Sequence, residues 1–155
     1  MPMTFGELHD RLSVLGADLV IQTVRLLASG DVHPERQDEA DATTAPKIFK
    51  DDCRIDWRLH SEQIHNFVRG LSPVPTAWTI HGGRVLKVYR TRRLTDVPPG
   101  VTVPGTVARR TDAELLIRTG DGAIAIKELQ QEGKRRMNVE EFLRGYRIGE
   151  GEMLE

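Results

Sequence analysis

Between residues 76 and 130 five short runs, TAWTI, RVLKVYRTRRL, GTVARR, ELLIRT and AIAIKELQ, alternate with the turn sequences HGG, TDVPPGVTVP, TDA and GDG. Each run is rich in β-branched and aliphatic residues, and each gap in the Gly, Pro and Asp that reverse a chain, so the segment reads as successive β-strands. The last gap, GDG, has the composition of a tight hairpin. Five strands packed into about 55 residues point to a small barrel rather than a sandwich. A barrel of this strand number and length is of the oligonucleotide/oligosaccharide-binding (OB) type. The following NVEEFLRGY predicts a closing helix with Asn138 as its N-cap and Glu141 at the third helical position.

The N-terminal end follows a different period. Thr4 and Glu7 form a capping box, and Phe5, Leu8, Leu12, Leu15, Leu19 and Leu26 recur at helical spacing, with Glu7, Asp10, Arg11 and Asp18 facing away. Gly16 is a place to bend or break this helix, and Gly30 is placed to stop it. So long an apolar stripe must bury against the C-terminal module, a second copy, or a neighbouring domain. The pattern then dissolves in GDVHPERQDEADATTAPKIFKDD, which is linker chemistry. A short helix follows, with Ser61 as its expected N-cap and Ile64, Phe67, Val68 and Leu71 on one side, and Pro73 and Pro75 forbid its continuation. The predicted fold class is therefore mainly β with helices: an N-terminal helix, a linker, and a five- to six-stranded OB-like barrel with short helices.

Composition excludes several functions. Hydrophobic content of 39% with 29% charged residues is globular. No apolar run approaches the roughly 20 residues of a membrane span, MPMTFGELHD lacks the plan of a secretory signal, and one cysteine, Cys53, precludes an internal disulfide. A soluble protein of the reducing cytoplasm, with no membrane partner, is expected. No metal is expected either, because His33, His60, His65 and His81 lack the close ligand pairing of zinc sites. His9 beside Asp10 and His60 beside Glu62 are the only candidates for acid–base work, and both fall where a helix presents polar residues to water. Gly82-Gly83 and Gly120/Gly122 fall in hairpins, not in a phosphate-binding loop. The residues themselves describe a binding or scaffolding module.

Its charge is unevenly spread. Residues 1–46 hold three arginines against eight acids (net −5), whereas residues 47–147 hold nineteen cations against twelve acids (net +7). A basic module joined to an acidic segment is a common footprint of a polyanionic partner. Lys134, Arg135 and Arg136 stand in a row between Gly133 and the closing helix, either gripping such a partner or solvating a turn. In the second strand, alternation puts Leu86 and Val88 on one face and Lys87 and Tyr89 on the other; Arg90 and Arg92 continue the inward parity, at the barrel rim. Two tryptophans and two tyrosines are too few for broad base stacking.

The stretches TFGELHDRLSVLGADLVIQTV, ATTAPKIFKDDCRIDW, SPVPTAW, GTV and TGDGAIAIKELQQEGKRRMNVEEFLRGY occur in an order that resembles the C-terminal half of bacterial methionyl-tRNA formyltransferases. The resemblance spans nearly the whole chain, and APKI…K…RIDW and LQ…GKRRM…EFLRG are its specific parts. It implies a two-domain enzyme whose N-terminal Rossmann-like domain binds 10-formyltetrahydrofolate and carries the catalytic Asn, His and Asp. A linker leads from there to an OB-like domain that helps hold initiator methionyl-tRNA. Residues 1–32 are then the last helix of the formyltransferase domain, 33–58 the linker and 59–155 the OB-like domain. The chain itself has no catalytic residue and binds no cofactor, and its partners are the acceptor arm of the tRNA and an N-terminal domain in cis or in trans. Phosphate contacts come from Lys and Arg, so the expected set is Lys47, Lys50 and Arg54 in the linker, Arg90, Arg92 and Arg93 on the second strand, and Lys134, Arg135 and Arg136. The sequence departs from the family at Thr44, where an aromatic is expected, and at Ser72-Pro73-Val74-Pro75, where Asn-Pro-Trp-Pro is expected; both remove groups that could stack near the substrate. Two other readings stand beside this one: the same domain of a formyltransferase acting on a sugar nucleotide or a folate, and a non-enzymatic module whose helix stripe recruits a partner.

Overall fold

The computed structural model describes residues 3–94 and 102–155, so residues 95–101 of the expected turn TDVPPGVTVP lie outside it. Helix α1 spans Phe5–Ser29 and starts at a complete capping box, with the Glu7 N–H donating to Thr4 Oγ1 and the Thr4 N–H to Glu7 Oε2. It runs unbroken through Gly16 and ends at Gly30, whose φ of 78° is open to glycine at no steric cost. Its first turn is docked: the Gly6 N–H donates to Ser72 O at 3.0 Å, and a Cβ on Gly6 would stand 2.5 Å from Pro73 Cδ. The rest projects away, with Leu12, Leu15 and Leu19 between 56 and 62% exposed. By length and composition α1 could cross a membrane, against the expectation that no apolar run is long enough, because Asp18 and Arg25 interrupt an otherwise apolar segment without making it polar.

Helix α2 spans Ser61–Leu71 and buries Ile64, Val68 and Leu71. Its cap differs from expectation: His60 is the N-cap and Ser61 the first helical residue. The Ser61 N–H is satisfied by Asp121 Oδ1 at 2.7 Å, sixty residues on in the sequence, so a tertiary carboxylate does the work expected of a local hydroxyl. Six antiparallel strands follow, β1 Ala77–His81, β2 Arg84–Leu94, β3 Val107–Arg110, β4 Leu115–Arg118, β5 Ala123–Gln131 and β6 Met137–Asn138, with α3 Val139–Gly145 capped by Asn138 as predicted. The sheet order is β1-β2-β5-β4-β3, with β6 also on β5.

The long strand β5 is covered on both sides. Ile124 and Ile126 belong to the main core with Leu86, Val88, Leu115, Ile117 and Leu129, while Ala125 packs with Ala108, Leu116 and Leu94 on the opposite face. Between β2 and β5 the register shifts on either side of Arg90, leaving Tyr89 on β2 and Lys127 on β5 without a partner and restoring the original register from Thr91 onward. Across this pair of irregularities the buried face of β2 passes from Leu86 and Val88 to Thr91, as that of β5 passes from Leu129 to Ile126. Thr91 comes to lie opposite Ile126 and is buried, whereas Arg92 lies opposite Ala125 and is exposed, so the inward parity expected of Arg90 and Arg92 does not hold.

The edges β1 and β3 are joined by the C-terminal segment. The Val107 N–H donates to Glu152 O (2.8 Å), the Leu154 N–H to Gly105 O (2.8 Å), and Ile80 and Glu155 exchange two backbone bonds (3.0 and 2.8 Å). Gly105 (φ 87°) makes this possible, since a Cβ there would come within 2.6 Å of Leu154 O. A second clasp sits beside it: His81 Nε2 lies 2.8 Å from Glu152 Oε2 and His81 Nδ1 lies 2.9 Å from Tyr146 Oη. Farther along the same edge of β1 the Ile55 N–H donates to Trp78 O at 2.8 Å, and Cys53, Ile55 and Trp57 enter the core. Gly120 admits this segment, because a Cβ would fall 2.1 Å from Arg58 O.

Candidate nucleic-acid interface

The β-register gathers side chains that the sequence keeps apart. Trp78 lies opposite Lys87, and Lys87 opposite Gln130, so the three form a row across β1, β2 and β5 on the outer face. At one end of the row the Trp78 Nε1–H donates to Lys50 O at 2.8 Å and the Arg54 guanidinium lies 5.7 Å from the indole centroid. At the other, Gln130 Nε2 donates to Lys134 O at 2.6 Å and the Tyr89 hydroxyl donates to Gln130 Oε1, also at 2.6 Å. Arg136 lies 4.2 Å from the Tyr89 ring centroid. One face thus joins two cationic stretches some eighty residues apart in sequence.

The nine expected residues divide by partner. Lys47, Lys50, Arg54 and Lys134 are exposed and make no ion pair among the described residues, Lys47 resting 5.3 Å from the Phe49 ring centroid. Arg135 is exposed and 3.1 Å from Glu141. Arg90 pairs with Glu7 at 2.6 Å and Glu128 at 3.5 Å, Arg92 with Glu114 at 3.6 Å, and Arg93 with Glu62 at 3.5 Å. Arg136 grips Glu128 through two bonds of 2.5 and 2.6 Å. The triplet is therefore divided in function: Lys134 offers charge to solvent, while Arg136 closes a Tyr89–Arg136–Glu128–Arg90–Glu7 chain that ties α1 to the sheet. Lys87, in the middle of the row, was left out of the expected set although its outward parity could be read from strand alternation. Arg69 and Lys127 were also missed; with His65, Arg90, Arg92 and Arg93 they line a cleft of about 470 Å³ between α2 and β2. Nothing local in the sequence brings α2, β2 and the Lys127 position of β5 together.

Electrostatics bears on how α1 is held. The Glu7 carboxyl is lowered to about 2, first by the Thr4 backbone N–H and then by the Arg90 side chain. Its folded value lies below its ordinary 4.5, so its contribution to docking is complete above 4.5 and is lost as the pH falls from there towards 2. Amide protection at Gly6 and Glu7 is expected to decline over that range, and Glu7→Gln to flatten the dependence; a wild-type profile that is level between 4.5 and 2 would show that the cap does not depend on the charge. Among the described residues no three His, Cys, Asp and Glu side chains are grouped to hold a metal.

Six antiparallel strands with a few helices, in a sheet order consistent with an OB-like fold, define the class: a mainly β domain with helices. The chain belongs to the family described as Formyl transferase, C-terminal domain, whose model matches residues 47–147. It is 39% identical over 150 residues to the methionyl-tRNA formyltransferase of Syntrophus aciditrophicus (97% of this chain, 47% of that one). It is 43% identical over 148 residues to that of Solibacter usitatus (96% and 46%). The chain spans about half the length of these curated relatives, in their C-terminal part. Solved structures of HypX from Aquifex aeolicus share the fold at low identity: one variant has a TM-score of 0.64 at 21% identity, covering 85% of this chain and 24% of that one. A HypX complex with tetrahydrofolic acid gives 0.63 at 19%, covering 88% and 26%.

Proposed function

We propose that the chain is the C-terminal, tRNA-binding portion of a methionyl-tRNA formyltransferase acting in translation initiation in the cytoplasm, inactive by itself. The complete enzyme moves a formyl group from 10-formyltetrahydrofolate to initiator methionyl-tRNA, and the folate and the catalytic residues belong to the N-terminal half. In this reading residues 1–32 end the formyltransferase domain, which covers the apolar stripe of α1 in cis or in trans; 33–58 form the linker and 59–155 the domain that meets the tRNA acceptor arm. The observation that carries it is the outer row running from Lys50 and Arg54 through Trp78, Lys87 and Gln130 to Lys134. Exposed cations at that spacing contact phosphates and are indifferent to base sequence, which suits recognition of an acceptor arm by backbone and shape.

The test is binding of initiator tRNA to the 155-residue chain beside a variant with Lys134, Arg135 and Arg136 all replaced by Ala. Affinity is expected to fall by roughly tenfold or more in the variant at low salt, and formylation by the isolated chain to be blank. Equal affinity in the two proteins would remove the triplet from the interface, and turnover would overturn the assignment of catalysis to the other half.

A further inference from the structure

The cleft between α2 and β2 is distinct from the outer row. Five cations line it, Arg69 from α2, Arg90, Arg92 and Arg93 from β2 and Lys127 from β5, against one acid, Glu62. The acids that pair with Arg90 and Arg92 (Glu7, Glu128 and Glu114) are not among its lining residues. Lys127, only partly exposed, has no acceptor for its ammonium among the described residues. Arg69 is held in place by neutral partners, Asn66 Oδ1 at 2.8 Å and Met3 O at 3.2 Å, which orient the guanidinium and leave its charge uncompensated. His65, between them, has Nδ1 2.8 Å from Thr91 Oγ1, and Nε2 has no partner among the described residues. With Arg90, Arg92 and Arg93 each paired to a carboxylate, the charges of Arg69 and Lys127 are the uncompensated excess that an anion entering this concave, partly apolar space would offset, and the volume of about 470 Å³ is in the range of small-ligand sites.

We propose that this cleft binds a phosphate group, with Arg69, Arg93 and Lys127 meeting its oxygens and His65 donating a further hydrogen bond. The same chemistry is offered by a phosphate of a nucleic-acid strand and by a free phosphomonoester of nucleotide size. On binding, the Arg93 guanidinium exchanges part of its 3.5 Å contact with Glu62 for the ligand. The proposal does not rest on the tRNA reading.

A proton accompanies the anion. In the free protein burial, then the charges of Arg69 and Arg93, push His65 below its ordinary 6.5, with Glu62 opposing. The charged groups around it are Glu62 and Arg69 on α2, Arg90, Arg92 and Arg93 on β2, and Lys127 on β5. A bound phosphate offsets the cations, raises the imidazole again and favours its protonated form. For a strand phosphodiester, whose charge is constant over this range, binding therefore tightens as pH falls through the liganded value and levels off below the free one; for a phosphomonoester, which loses its second charge at about pH 6, the two protonations oppose each other.

The experiment follows the His65 ring signals by NMR in the 155-residue chain during titration with inorganic phosphate, with 5′-AMP and with an acceptor-stem RNA minihelix. A saturable His65 shift is expected, with a raised imidazole pKa at saturation, and Arg69→Ala or Lys127→Ala is expected to weaken binding at least about tenfold, as the loss of a charged hydrogen bond does. A shift with phosphate or AMP alone identifies a free phosphomonoester as the ligand, and a shift with the minihelix alone identifies a strand phosphate. No shift with any of the three overturns the proposal, as does binding that both substitutions leave unchanged. A failure of tRNA binding at Lys134, Arg135 and Arg136 would leave a His65 response to AMP intact, so the two readings fail separately.

Discussion

Raising monovalent salt from about 50 to 200 mM is expected to weaken binding of initiator tRNA to this chain roughly 500-fold. Lys47, Lys50, Arg54, Lys87 and Lys134 are all exposed and form no ion pair among the described residues, so each is free to displace a counterion from a phosphate. Five such contacts on an A-form stem treated like a duplex give a log–log slope of about −4.5, and each Lys→Ala change at these positions should reduce the slope by about 0.9. Arg136→Ala should behave differently. Its guanidinium is committed to Glu128 and Tyr89, so removing it loosens the turn after β5 and leaves the slope nearly unchanged. Filter binding or fluorescence anisotropy across the salt series measures both. A slope shallower than about −2 would leave too few phosphates for the row to serve as the interface.

Leu154→Ala is expected to cost about 2–5 kcal/mol, a large share of the roughly 5–15 kcal/mol that holds a domain together. Leu154 is 2% exposed and its N–H bonds to Gly105 O. Around it residues 151–155 close the barrel by pairing with β3 on one side and β1 on the other. Loss of the leucine leaves a cavity at the seam. Removing residues 151–155 altogether also frees the edges of β1 and β3, and open edges are templates for association with other chains. Urea denaturation of the point variant and light scattering of the truncated chain are the measurements. A loss below about 1 kcal/mol in Leu154→Ala would mean that the seam contributes little.

Much of the barrel could be read from local pattern. The five runs between residues 76 and 130 became five strands, and the caps at Thr4 and Asn138 formed where a hydroxyl or amide was followed three residues later by a glutamate. These are short-range effects, set by backbone conformation and by groups within one turn of each other. The errors came where a distant residue overrode the neighbours. Asp121 took the capping role expected of Ser61, and the paired irregularities at Tyr89 and Lys127 reversed the parity of Arg90 and Arg92. The acidic residues after Arg147, set apart in the charge count, sit on the segment that closes the barrel.

The nine cations expected to meet phosphate were found by charge alone, and charge does not report partners. Only the fold showed that Arg90, Arg92, Arg93 and Arg136 each face a carboxylate, that Lys87 stands between Trp78 and Gln130, and that Arg69 and Lys127 share a cleft. The sequence by itself determined the order of elements, their caps and the excess of positive charge after residue 46, because propensity, periodicity and charge are properties of neighbouring residues. The tertiary structure alone decided which cations remain available and which faces they share, because strand register and helix packing bring together groups whose separation along the chain carries no signal.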